Sequence, residues 1–202
     1  MNADPYYPEA RERFVEDVAE HQVEVLHDDG TYRHIVCKEP GSSFYWFELI
    51  TSPWQLTIRG DMGCYVFSRI HDMFDFFGDR ARAVGDYINP GYWTQKLEST
   101  NRQGVEDFSQ QAYLKWLADN WEDRRDDYGQ AARNTILNAM YEELTDADSH
   151  ESAMEVLDGF DVEGYVFTDT WEHHFTDYDS HYLWCLNAIV WCIEKYRAAA
   201  AA

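Results

Sequence analysis

No lysine or arginine occurs between Arg133 and Lys195, and the 61-residue window from Asn134 to Glu194 holds 14 acids. An ordinary soluble domain mixes charges of both signs to limit self-repulsion. The scarcity of cations extends to the whole chain, where 16 Lys and Arg stand against 38 Asp and Glu, for a net charge of −22 over 202 residues. A protein that grips phosphate needs Lys and Arg gathered into a patch. Here "RRDDY" and the trio Arg69, Arg80 and Arg82 are diluted by acids, which argues against direct nucleic-acid binding.

Other absences exclude further classes. The longest apolar segment, Tyr182–Ile193, is broken by Asn187 and falls short of the roughly 18 apolar residues a membrane helix needs, so no membrane span is expected. Residues 1–20 lack the basic start and apolar run of an export signal, so a cytoplasmic protein is expected. Cys37, Cys64, Cys185 and Cys192 show no CxxC spacing and lie in apolar runs. They read as reduced, buried thiols rather than disulfides or zinc ligands. There is no GxSxG elbow, phosphate-cradling P-loop or HExxH; no enzyme class and no cofactor is implied. "RGDMG" (59–63) contains an RGD tripeptide, but between two strand-like runs it reads as a hairpin loop.

What is plentiful is aromatic: 8 Trp, 14 Tyr and 11 Phe, within 45% apolar residues. Burial of such side chains offsets the ordering entropy of a highly charged chain, so a packed core is expected. The length suits one domain.

Residues 8–26 read as an amphipathic helix, with Phe14, Val18 and Val25 near helical spacing, closed by "HDDG" (27–30). Runs at 31–39, 42–51, 54–60 and 64–70 are β-branched and aromatic, separated by the turn signals "PG", "SP" and "GDMG". Short links of this kind predict an antiparallel meander over about residues 31–70. Aromatics Phe44, Tyr45, Trp46 and Phe47 on both faces predict a central second strand. From about residue 71 the pattern turns helical: 71–80, a turn and helical segment over 89–99, then 105–128, 130–144, 152–160 and 171–197. The expected fold is α+β: a small antiparallel meander with an N-terminal helix and a helix-rich C-terminal half. A single compact domain over 1–197 is expected, with the sheet in about 1–80 and the acidic helical part in about 81–197. Residues 198–202 form an alanine tail.

The candidate sites are few. On a helix over 171–197, His173, Asp177 and His181 stand four apart and share a face, a spacing that lets imidazole and carboxylate reach one divalent metal. The same three residues are also the solvent face of that helix if Trp171, Phe175, Tyr178, Tyr182, Leu186, Ile189 and Ile193 form its buried stripe, and this second reading is preferred. The stronger candidate is the acidic surface. Carboxylates along helices copy the charge pattern of a duplex, about one charge per 1.7 Å of axis, and such a surface fits the basic channel of a nucleic-acid-binding protein. The residues assigned to it are Glu142, Glu143, Asp146, Asp148, Glu151, Glu155, Asp158, Asp161 and Glu163. A solubilising shell, or adaptation to salt, accounts for the same acids; Asp (21) exceeds Glu (17) and Arg (12) exceeds Lys (4).

The segments "GDMGCYVFSRIHDMFDFF" (60–77), "HDDGTYRHI" (27–35) and "WCLNAIVWCIEKY" (184–196) resemble uncharacterised proteins carried by bacteriophages and prophages, through most of the chain. The resemblance brings no catalytic motif. It implies a protein of the bacterial host cytoplasm that comes from a mobile element. Acidic phage proteins of this kind include DNA mimics that block restriction enzymes or CRISPR surveillance complexes. The expectation is a non-enzymatic inhibitor of a basic, nucleic-acid-binding host defence protein. A metal-dependent enzyme built on the His/Asp face and a phage assembly or scaffold protein are the alternatives.

Overall fold

The computed structural model describes residues 7–78, 88–101 and 104–201. The fold is α+β, and the chain divides into two compact units, Met1–Val105 with Tyr178–Ala202, and Glu106–Asp177. This division lies beyond the compositional change near residue 80, because Trp93 is fully buried in the first unit's core and the strand Leu97–Ser99 completes its sheet.

The first unit begins with α1 (Pro8–Asp17) and continues through β1 (Gln22–Asp29), β2 (Tyr32–Lys38), β3 (Phe47–Ser52), β4 (Gln55–Gly60) and β5 (Gly63–Ser68). Then come α2 (Met73–Gly78), α3 (Pro90–Thr94) and β6 (Leu97–Ser99), and α7 (Ser180–Ala200) returns at the end of the chain. The six strands pair antiparallel in chain order. The meander is therefore longer than expected, by a strand on each side. β1 takes residues assigned from sequence to the first helix. Its run "QVEVLHDD" pairs with β2 from Gln22↔Lys38 to Asp29↔Tyr32, with a bulge between Val25 and His27. Gly30, at φ 62, begins the tight turn that closes this hairpin.

Alternation assigns the two sheet faces. Ile35, Cys37, Phe47, Leu49, Leu56, Ile58, Tyr65 and Phe67 point inward and are buried with Tyr182, Leu186, Ile189 and Ile193 of α7. Trp184 packs edge-on against Phe14 and Phe47, with ring centroids 5.1 and 5.6 Å away, and its indole N–H donates to Asp17 at 3.0 Å. The aromatics before β3 are not a central strand: β3 starts at Phe47, Tyr45 has φ 57, and Phe44 is 73% exposed. Cys37, Cys185 and Cys192 are buried as expected, whereas Cys64 is exposed on the outer face; all four are free thiols.

The RGD tripeptide belongs to the β4–β5 hairpin, where Gly60 pairs with Gly63. A Cβ at Gly60 would lie 2.1 Å from the Trp46 carbonyl oxygen and 2.7 Å from Phe47 Cα. Asp61 holds the same neighbours, its N–H donating to Trp46 O at 3.0 Å and its carboxylate accepting from Tyr45 N at 2.9 Å. Glycine is required here by backbone approach. Gly60→Ala should cost about 1–3 kcal/mol, read as a lower midpoint in urea with an unchanged slope.

On the outer sheet face Glu48 is buried between His34, whose Nε2 lies 2.5 Å from its carboxylate, and Arg59, which donates to the other oxygen. Burial pushes the Glu48 pKa up, but the hydrogen bonds and charges of His34 and Arg59 outweigh it and leave the carboxyl below its ordinary value. A depressed carboxyl stabilises the fold above its unfolded pKa, near 4.5, and that contribution is lost as pH falls through the folded value. Glu48→Gln should lower stability at pH 7 by about 1–3 kcal/mol. It should also flatten the loss of stability below pH 4.5, measured by urea unfolding from pH 7 to 3.

Candidate functional site

The second unit contains β7 (Glu106–Phe108), α4 (Gln110–Arg124), α5 (Gln130–Leu144), α6 (His150–Gly159), β8 (Asp161–Val162) and β9 (Tyr165–Val166). A short 3-10 turn (Thr170–Glu172) follows, then β10 (Thr176–Tyr178), which pairs with β7. Ser109 caps α4 by accepting from Ala112 N, and Ser149 and Ser152 form a reciprocal capping box that starts α6 two residues before the expected position. Tyr113, Leu117, Trp121, Ile136, Met140, Leu144, Leu157, Phe160, Tyr165 and Phe175 make a separate core. Tyr165 donates to Asn120 at 2.7 Å.

This core takes most of the apolar side chains and leaves the acids outside. The unit carries 19 carboxylates and 4 cations within 72 residues, for a net charge of −15. Every one of those 19 carboxylate side chains belongs to an exposed residue. The four cations are engaged by the unit itself. Lys115 pairs with Asp119, and Arg125 pairs with Glu122 at 3.0 Å. Arg133 reaches Asp126 at 3.1 Å and the Tyr128 carbonyl at 2.7 Å. Arg124 donates to Val166 O at 2.8 Å and lies over the Tyr165 ring at 4.2 Å.

The nine acids assigned from sequence all fall in this unit. Glu142 and Glu143 lie in the last turn of α5, and Asp146 and Asp148 in the link to α6. Glu151, Glu155 and Asp158 are spaced four and three apart on the outer face of α6. That spacing gives rises of about 6 and 4.5 Å, somewhat sparser than the 3.4 Å per charge of one DNA strand. Asp161 is in β8, and Glu163 lies in the β8–β9 turn at φ 55. Among the described residues none of the nine is paired with Lys or Arg. Asp148 accepts from Ser152 at 3.3 Å and Asp158 from Thr170 at 2.7 Å.

The metal candidate does not survive. His173 ends the 3-10 turn, Asp177 lies in β10 and His181 in the first turn of α7, so no helix carries all three. Asp177 closes the second unit, while His181 belongs to the first. The helix expected over 171–197 fails before Ser180: Asp169 takes φ 56, residues 176–178 enter a strand, and Asp179 caps α7 through the amides of His181 and Tyr182. Trp171, expected in the buried stripe, is 72% exposed; Phe175 is buried, but in the second unit's core. Among the described residues no group of three or more His, Cys, Asp or Glu is placed to hold a metal ion. No described helix is long and apolar enough to cross a membrane.

The exposed aromatic and aliphatic side chains of this unit are Leu114, Leu137, Tyr141, Val166 and Trp171, none of which carries a sequence signal of its own. Only the helix phases of α4 and α5 would have found Leu114 and Leu137, since both sit beside the buried stripe. No protein-family model, curated protein or solved structure matches the chain.

Fifteen excess negative charges on a 72-residue unit repel one another. Unfolding should shift to higher temperature as NaCl rises to about 0.5 M, as the screening length shortens. Glu155→Lys, facing Glu151 one turn away, should raise stability by about 0.2–0.5 kcal/mol, measured by thermal unfolding at low salt.

Proposed function

We propose that this chain is a non-enzymatic inhibitor whose acidic unit occupies the basic, nucleic-acid-binding surface of another protein. One observation carries the reading: all 19 carboxylates of residues 106–177 are exposed while all four cations are held by the unit's own groups. A shell that only served solubility mixes charges of both signs. A surface meant to attract a polycationic groove gains from each cation already neutralised by a neighbouring carboxylate, because complementary charge speeds encounter and rejects wrong partners. The α6 row, Glu151, Glu155 and Asp158, with Glu142, Glu143, Asp146, Asp148, Asp161 and Glu163, stands in for phosphates. Resemblance of three segments to bacteriophage and prophage proteins supports a bacterial defence protein as the target, a restriction enzyme or a CRISPR surveillance complex.

The test is capture from bacterial lysate on immobilised full-length chain at about 0.1 and 0.5 M salt, beside a variant with Glu142, Glu143, Glu151 and Glu155 changed to Gln. Wild type should retain a DNA- or RNA-binding protein at low salt, release it at high salt, and lose it to added duplex. The variant should retain far less, since each neutralised contact weakens a counterion-driven interaction. Equal capture by both proteins at both salts would refute charge mimicry.

A further inference from the structure

The acidic unit also carries an apolar seam. α4 and α5 run antiparallel, tied at one end by Gln110 Nε2 donating to Thr145 O at 3.1 Å and at the other by Arg133 on Asp126 at 3.1 Å. Leu114 is one turn along from Gln110, and Tyr141 is one turn back from Thr145, whose hydroxyl donates to the Tyr141 carbonyl. Leu114 and Tyr141 therefore stand at the same level of the antiparallel pair, with Leu137 a further turn along α5 beside the buried stripe. They are 37%, 75% and 43% exposed, while Leu117, Trp121, Ile136 and Met140 of the same helices are buried. Ala118, also exposed, leaves the middle of the seam shallow.

We infer that this seam docks a basic amphipathic helix of the partner protein. The inference rests on the reading of residues 106–177 as an acidic binding unit. Charge selects the occupant. The cations beside the seam, Lys115 and Arg125, are already paired with Asp119 and Glu122, and the exposed Glu142 and Asp146 stand near its Thr145 end. An acidic or neutral helix would meet only repulsion or unpaired carboxylates there, whereas Lys and Arg flanking an apolar stripe match both the rim and the floor. Each 15-residue helix is about 22 Å long, room for three to four turns of a guest helix. Such a helix reads the groove through anchors at i, i+3, i+4 and i+7, and Tyr141 is of the residue type that most often dominates such contacts.

The seam predicts a preference that charge alone does not. Two probes are titrated against the full chain at about 0.1 M salt by fluorescence anisotropy: a 14-residue helical peptide of Leu and Lys with leucines on one face, and an oligolysine of equal charge. The Leu/Lys peptide should bind at least about tenfold more tightly. Leu137→Ser with Tyr141→Ser, both at exposed positions, should remove that advantage and leave oligolysine binding unchanged. The variant with Glu142, Glu143, Glu151 and Glu155 changed to Gln should weaken both probes. If the serine variant binds both peptides as wild type does, or wild type binds the two equally, the seam is not a docking site, even with the charge reading intact. If the Gln variant binds both as wild type does, the acidic reading fails and takes this inference with it.

Discussion

Burial of α7 against the inner face of the sheet is the interaction on which the first unit depends. Tyr182, Leu183, Trp184, Leu186, Ile189 and Ile193 are buried on this one helix, each removing on the order of 1.5–3 kcal/mol of apolar exposure. Without them Ile35, Leu49, Leu56, Ile58 and Phe67 have no cover on that side. The aromatic residues fix the geometry. Trp184 meets Phe14 of α1 and Phe47 of β3, and Tyr182 lies 5.1 Å from Tyr65 and donates or accepts a hydrogen bond with Thr94 at 2.9 Å. A single helix thus joins α1, α3 and the strands. Arg33, near the start of the interior strand β2, is bonded twice to Asp72 and stacked over Phe74 at 4.4 Å.

The second unit follows a different rule. It has a small core of its own, and most of its carboxylates lie outside that core, a few bonded to hydroxyls such as Thr170 or to the unit's cations. The contrast with Glu48 is instructive. A carboxylate in the first unit's sheet is buried, held by His34 and Arg59 and depressed in pKa, whereas the acids of α5 and α6 are exposed and unpaired by Lys or Arg among the described residues. The same chemical group is structural in one unit and presented in the other.

Much of this was legible in the sequence. Turn residues marked the hairpins, and β-branched alternation located β2, β4 and β5. The helix α5 lies where its apolar spacing put it, whereas the helix expected over 105–128 gives its first residues to β7 and runs only from Gln110 to Arg124; the acids of residues 142–163 are exposed. The failures have physical causes. "QVEVLHDD" fits a helical stripe through Val25 as well as a strand, and pairing with β2 decides between them, a long-range choice that local pattern does not contain. The stripe from Trp171 to Ile193 kept helical spacing across Asp179, although a cap residue before Ser180 could have signalled a start there. Phe44, Tyr45 and Trp46 look like a strand interior because aromatic residues favour strands, yet the tight approach of Gly60 to Trp46 leaves them in a turn. Helix phase places Leu114 and Leu137 beside the buried stripe, but nothing in a helix's own sequence says how wide a gap its neighbour leaves, so their exposure was not legible.

The order of elements along the chain has a consequence for its synthesis. Residues 106–177 are continuous, whereas the first unit is split around them and finished only by α7. At about 5–20 residues per second, roughly a hundred residues separate β6 from the end of α7, so the sheet's apolar face waits on the order of 5–20 s for its lid. The strongly negative second unit is made within that interval and is whole only for its last part, once Asp177 has been added. Nascent chains carrying such a charge repel one another, which opposes their association while the sheet is still uncovered.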